Sequence, residues 1–171
     1  GMGGVGKTTA AKAIYNQIHP KFEFKSFLAD VSDTTSRHGL VYLQKKLISD
    51  ILNPKSEISS DVEGIGRIKD IFSHRKVFVV MDNIDKKEQL DAIVGNHDWF
   101  GPGSRIIITT RDKHLLLNMD KVYSAQKLKD GESLELFSWH AFGNSWPDKE
   151  YLELSKKFVS YCDGLPLALK D

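Results

Sequence analysis

Apolar and polar residues change rhythm several times along the chain. In "TTAAKAIYNQIH" the residues Ala10, Ala13, Ile14 and Ile18 recur at helical spacing, and Pro20 ends the pattern. "KSFLADVS" is a short apolar run rich in strand formers and bounded by polar residues, which predicts a strand. "GLVYLQKKLISDIL" sets Leu40, Leu43, Leu47, Ile48 and Ile51 on one helical face, closed by Asn53 and Pro54. "GIGRIKDIF" repeats that pattern weakly through Ile65, Ile68 and Phe72. "RKVFVVMD" is a continuous apolar run ending in an acid, as suits a central parallel strand covered on both faces. "SRIIITTRD" is a second run of this kind, after a turn at "GPGS", and "KVYSAQ" is a weaker third. Strands alternating with helices predict βαβ units and an α/β fold with a parallel sheet. From about Lys129 the texture changes to two amphipathic helices, "DGESLELFSWHAFG" and "DKEYLELSKKFVSYC", with no strand between them. The expected division is an α/β domain over 1–128 and a helical module over 129–171, without internal repeats or low-complexity tracts.

The 171 residues are 40% hydrophobic and 27% charged, with a net charge of +1. That composition suits a globular protein with a core to bury, and it offers no bulk attraction for nucleic acid or a membrane. The apolar runs fall far short of the roughly 18 residues that span a bilayer. One cysteine, Cys162, allows no intrachain disulfide, so an intracellular setting, cytoplasm or nucleus, is the default expectation. No charged-then-apolar leader opens the chain. The six histidines are scattered without metal-ligand spacing and read as surface or capping residues. Cys162 reads as core, and the aromatic patch of Phe137, Trp139 and Phe142 as packing between the modules or as a partner surface.

"GMGGVGKT" fits the pattern G-x-x-x-x-G-K-[ST] through Gly1, Gly6, Lys7 and Thr8. Glycines let successive backbone N–H groups turn inward around an anionic phosphate, with Gly3 and Gly4 adding freedom. The helix that follows adds its positive N-terminus. Lys7 is expected to reach the β- and γ-phosphates, and the Thr8 hydroxyl to ligate Mg²⁺. Such a loop requires an acid at the end of a distant buried strand, and "KVFVVMD" supplies it at Asp82. Alone, Asp82 is a solvated strand-end aspartate; the loop is what gives it a role.

Asn83 follows where many ATPases of this architecture place a second acid to polarise the attacking water. An amide orients a water but does not take its proton, so slow hydrolysis is expected. Asp85 is a candidate substitute, although its side chain leaves the strand in another direction. "RIIITTR" ends in Thr109, Thr110 and Arg111. If this strand lies beside the loop, Arg111 is placed to tell ATP from ADP through the third phosphate. The alternative is a surface arginine paired with Asp112 or Asp82.

These stretches, in this order, resemble the NB-ARC family, the nucleotide-binding switch of plant disease-resistance proteins. "GMGGVGKTT", "VFVVMDNID", "GSRIIITTR", "KLKDGESLELFSWHAF" and "GLPLAL" look like that family's successive motifs, over essentially the whole chain. "FLADVSDTTSRHGLVYLQKKLISDIL" is similar to the form in members that carry a TIR domain, and so is Asp85, where the coiled-coil class usually has tryptophan. The resemblance implies a P-loop NTPase fold, a three-layer parallel sheet lacking its first strand here, followed by the start of a small helical ARC subdomain. It implies an ADP-bound resting state, exchange to ATP on pathogen perception, and a homo-oligomer on activation. TIR and leucine-rich-repeat domains are the implied partners in the parent chain, and ADP or ATP with Mg²⁺ the implied cofactors.

By the same resemblance, Gly1, Gly3, Gly4, Val5, Gly6, Lys7, Thr8 and Thr9 hold the phosphates. Thr8 and Asp82 hold the metal, Asp82 and Asn83 occupy the catalytic positions, and Arg111 senses the γ-phosphate. Pro166 packs by the adenine, and in physical terms Gly164 and Pro166 begin a new helix. Asn83 departs from the family's commonest pattern, which bears on hydrolysis and not on binding. The chain opens on one such motif and stops just past another, so the expectation is a fragment with weak or no nucleotide affinity of its own. A different P-loop signalling ATPase or a small-molecule kinase is the alternative. A kinase needs an acceptor pocket, a base and usually an arginine-bearing lid, and no such lid is evident. At most a slow ATPase serving a switch is expected.

Overall fold

The computed structural model describes residues 3–52 and 57–165. They form two compact units, one over Thr8–Asn118 that carries the sheet, and one that carries the last two helices. Residues 3–7 and those from Met119 onward group with the helical unit.

In the first unit three strands run parallel in the order β1 (Phe24–Leu28), β2 (Val77–Ile84), β3 (Arg105–Thr110). The central strand is apolar from Val77 to Met81 because both its faces are covered there: Val77, Phe78, Val79, Val80 and Met81 are all fully buried. On one face Phe78 and Val80 pack with Ala11 of α1 (Lys7–Ile18) and with Phe22. The Tyr15 ring stacks on Phe78, their centroids 5.5 Å apart. The other face is covered by α2 (Val31–His38), α3 (Leu40–Leu52), α4 (Asp61–Phe72) and α5 (Lys87–Val94), whose contacts run α2 to β2, α3 to β1 and α4 to α5. Leu43, Leu47, Ile48, Ile68 and Phe72 fill that layer. The result is the expected α/β, three-layer parallel architecture.

Several elements differ from the sequence pattern. The packed stripe of α1 is the buried Ala11 with the partly buried Tyr15 and Ile18, whereas Ala10, Ala13 and Ile14 are exposed. Small alanines mark two faces of this helix equally, and the tyrosine ring decides which one packs. The strand expected over "KSFLADVS" stops at Leu28, because Asp30 turns left-handed (φ 42°) and Val31 starts α2. "KVYSAQ" is no strand: residues 121–126 carry no regular structure, and Val122 and Tyr123 are exposed. Two or three apolar residues do not hold a strand without a ladder partner. α4 begins at Asp61, four residues before Ile65 opens its apolar pattern, since Ser60 caps it by accepting the Glu63 N–H at 3.2 Å. The end of the α3 pattern at Asn53 and Pro54 lies outside the described residues.

The second unit packs α6 (Asp130–Phe142) on α7 (Leu152–Cys162) through Leu134, Val159 and the buried Cys162. Phe137 meets Phe158 at 5.0 Å and Phe142 meets Tyr151 at 5.7 Å, while Trp139 is exposed. Among the described residues no helix is long and apolar enough to cross a membrane.

Candidate functional site

The glycine loop runs directly into α1. Gly4 (φ 79°) and Gly6 (φ 84°) are left-handed, a conformation other residues adopt only under strain. Val5 is buried, Lys7 is the first helical residue, and Thr9 is exposed. Gly1 and Pro166 lie outside the described residues.

Thr8, one residue into the helix, reaches the far end of the central strand. Its Oγ1 donates between the two oxygens of Asp82, 3.0 Å from each. Asp82 is buried at 3% exposure, on β2. Ladder pairing brings the ends of all three strands to the same edge: Leu28 pairs with Met81, Met81 with Ile108, and Ile84 with Thr110. Between Met81 and Ile84 the β2–β3 register shifts, and Asp82 and Asn83 occupy the irregularity. Asn83 is left-handed there (φ 58°). Asn and Asp are the non-glycine residues that tolerate that region best.

A second ring of polar contacts surrounds this pair. Thr109 Oγ1 donates to Asp82 Oδ1 at 2.6 Å and accepts the Asn83 N–H at 2.9 Å. The Asn83 side-chain amide donates to Asp30 Oδ1 at 2.8 Å. Thr110 Oγ1 donates to the Ile84 carbonyl at 2.6 Å, closing the ladder. Arg111 follows immediately and is exposed at the same sheet edge. Asp85 is engaged elsewhere. Its Oδ1 accepts from Gln89 Nε2 at 2.7 Å at the start of α5. Burial works to raise the Asp85 pKa, yet hydrogen bonds from Ser32 and Gln89, with the nearby Lys86 charge, carry it below the ordinary aspartate value.

Thr109 and Asp30 were not legible as site residues in the sequence. The signal for Asp30 is weak, a turn-tolerant residue just past a strand, and Thr109 hides inside an ordinary β-branched run. Gly164, in the terminal "GLPLAL", is left-handed (φ 68°), and a Cβ there would collide with the Leu128 carbonyl oxygen. Its own carbonyl accepts the Leu128 N–H at 2.8 Å. This glycine serves a close backbone crossing.

The donors on hand suit a small hard cation. A hydroxyl and a carboxylate converge at hydrogen-bond distance, and Mg²⁺ takes one or two such protein oxygens, leaving the rest of its shell to phosphates and water. Among the described residues no cluster of three or more His, Cys, Asp or Glu could hold a metal by itself.

A parallel sheet, a glycine loop opening a helix, and a threonine at that helix's start bonded to an acid on the buried central strand define a domain of the P-loop NTPase type. The chain matches the NB-ARC domain over residues 1–146 and belongs to that family, a family of nucleotide-binding domains. It is 44% identical to "Disease resistance protein RUN1" of Vitis rotundifolia over 99% of this chain and 13% of that protein. It is 42% identical to "Disease resistance protein RPP2B" of Arabidopsis thaliana, over 99% of this chain and 14% of the other. It is also 42% identical to "TMV resistance protein N" of Nicotiana glutinosa, over 99% and 15%. The chain thus spans well under a fifth of the length of these relatives.

Proposed function

We propose that these residues form the ADP/ATP-binding switch of a plant immune receptor, in which nucleotide exchange and slow hydrolysis govern defence signalling. The Thr8–Asp82 contact carries this reading, since it joins the two elements that a nucleotide's magnesium and phosphates need. The relatives named above, all resistance proteins, support the immune role. In this proposal the backbone N–H groups of the loop and the Lys7 ammonium bind the phosphates, and Arg111 contacts the third. Thr8 and Asp82 hold Mg²⁺, which when bound neutralises charge on the phosphate oxygens. Pro166 lies by the adenine. Asn83 stands where a proton acceptor would speed hydrolysis, and its amide is already given to Asp30, which supports a long-lived ATP state over rapid turnover.

The same proposal gives the chain an intracellular place, with TIR and leucine-rich-repeat domains as partners and self-association on activation. Work is done by a shift between nucleotide-dependent arrangements. The test is nucleotide retention in the full-length protein. Lys7→Arg and Thr8→Ala are expected to purify without bound ADP or ATP and to lose signalling. Retention at the unmodified level in both variants would sink the proposal, and turnover of a small-molecule acceptor at many per second would favour a kinase.

A further inference from the structure

The Thr109 hydroxyl is the hinge of the polar ring around Asp82. A hydroxyl owns one proton, and a backbone N–H only donates. Because Thr109 Oγ1 accepts the Asn83 N–H, its own proton is committed to Asp82. The hydroxyl is therefore a fixed donor and not a free rotor. At 2.6 Å to a carboxylate the bond lies in the short range of charge-assisted O–H···O⁻ contacts.

Two consequences follow from the geometry. Asp82 Oδ1 receives both Thr8 and Thr109, and Oδ2 also receives Thr8. The shorter, fixed bond from Thr109 thus bears on one oxygen and sets the rotamer of the carboxylate. Second, the backbone at Asn83 is left-handed inside a register shift, so its N–H has left the regular ladder. Thr109 takes that N–H with a side chain, and the same atom sets the carboxylate next to it. The turn and the rotamer are held by one group.

We propose that Thr109 is a positioning residue for the Asp82 carboxylate, setting it for the magnesium that accompanies a bound nucleotide. This rests on the reading of Asp82 as a magnesium holder. The experiment measures ATP and ADP affinity of the full-length protein, once with excess Mg²⁺ and once with EDTA, for Thr109→Val, Thr109→Ser and Asp82→Asn. Valine keeps the branched shape without the hydroxyl; serine keeps the hydroxyl. The gain in affinity on adding Mg²⁺ is expected to fall about tenfold in Thr109→Val, as for a lost bond to a charged group. The EDTA affinity should stay within about twofold, and Thr109→Ser should match the unmodified protein within about twofold. If valine disturbs β3, Thr109→Ala is expected to show the same selective loss.

A full Mg²⁺ gain in Thr109→Val, with the gain lost in Asp82→Asn, overturns the role of Thr109 and leaves that of Asp82 standing. An equal fall with and without Mg²⁺ means a purely structural threonine, and also overturns it. An undiminished gain in Asp82→Asn removes the magnesium reading itself, and the role of Thr109 with it.

Discussion

Asn83 and Asp30 are bonded across the ends of two parallel strands, amide to carboxylate at 2.8 Å, and both hold left-handed backbone, at φ 58° and 42°. Each lies two residues past the paired Met81 and Leu28, so the ladder brings them level. Aspartate tolerates the left-handed region as asparagine does, so Asn83→Asp changes the side-chain bond and leaves the turn. It also sets two carboxylates against each other. We expect a loss of about 1 kcal/mol in urea unfolding, modest because the pair is exposed. Adding Asp30→Asn restores one donor and one acceptor and should recover most of that loss. A double variant as unstable as the single one would show that the pair contributes nothing.

Two glycines of α4 make opposite predictions. A Cβ at Gly64 would run into the buried side chain of Gln44, which is tied to the Asp61 and Ala92 carbonyls at 2.9 and 3.0 Å. Gly64→Ala is expected to cost about 1–3 kcal/mol by overpacking. At Gly66 a Cβ meets nothing, and Gly66→Ala should stabilise by about 0.5–1 kcal/mol through helix propensity. Chemical denaturation of both variants checks the pair, and equal effects would refute it.

Gly164→Ala meets two obstacles, a left-handed φ and the Leu128 carbonyl. We expect at least about 2 kcal/mol of destabilisation in the helical unit. Hydrogen exchange in α6 and α7 should accelerate, while β2 amides keep their protection.

The Asp85 carboxyl titrates below its ordinary value near 3.8 when folded. The stability it adds is therefore fully present above about that pH and is lost as the pH falls through the lower, folded value. Asp85→Asn should flatten the acid limb of the urea midpoint below about pH 4 by a few tenths of a kcal/mol, because the group is exposed. An unchanged acid limb would count against this account.

The apolar run of β2 and the helical pattern of α3 were legible in the sequence, because burial on two faces or on one leaves a local record in residue order. The loop "GMGGVGKT" was legible for a similar reason, since its glycines answer a backbone need met within a few residues. Local periodicity did not separate the two alanine faces of α1, and it offered "KVYSAQ" as a strand that no ladder supports. The family resemblance also came from motif order, and the NB-ARC match agrees with it.

What residue order by itself determined is therefore the set of local demands: which segments must be buried, which turns need glycine, and that an acid ends the central strand. Only the tertiary structure decided which side chains meet at the sheet edge. The bonds from Thr109 to Asp82 and from Asn83 to Asp30 link residues on separate strands. They depend on the register of three strands and on a one-residue irregularity in β2, and interactions between distant segments leave no period in the chain.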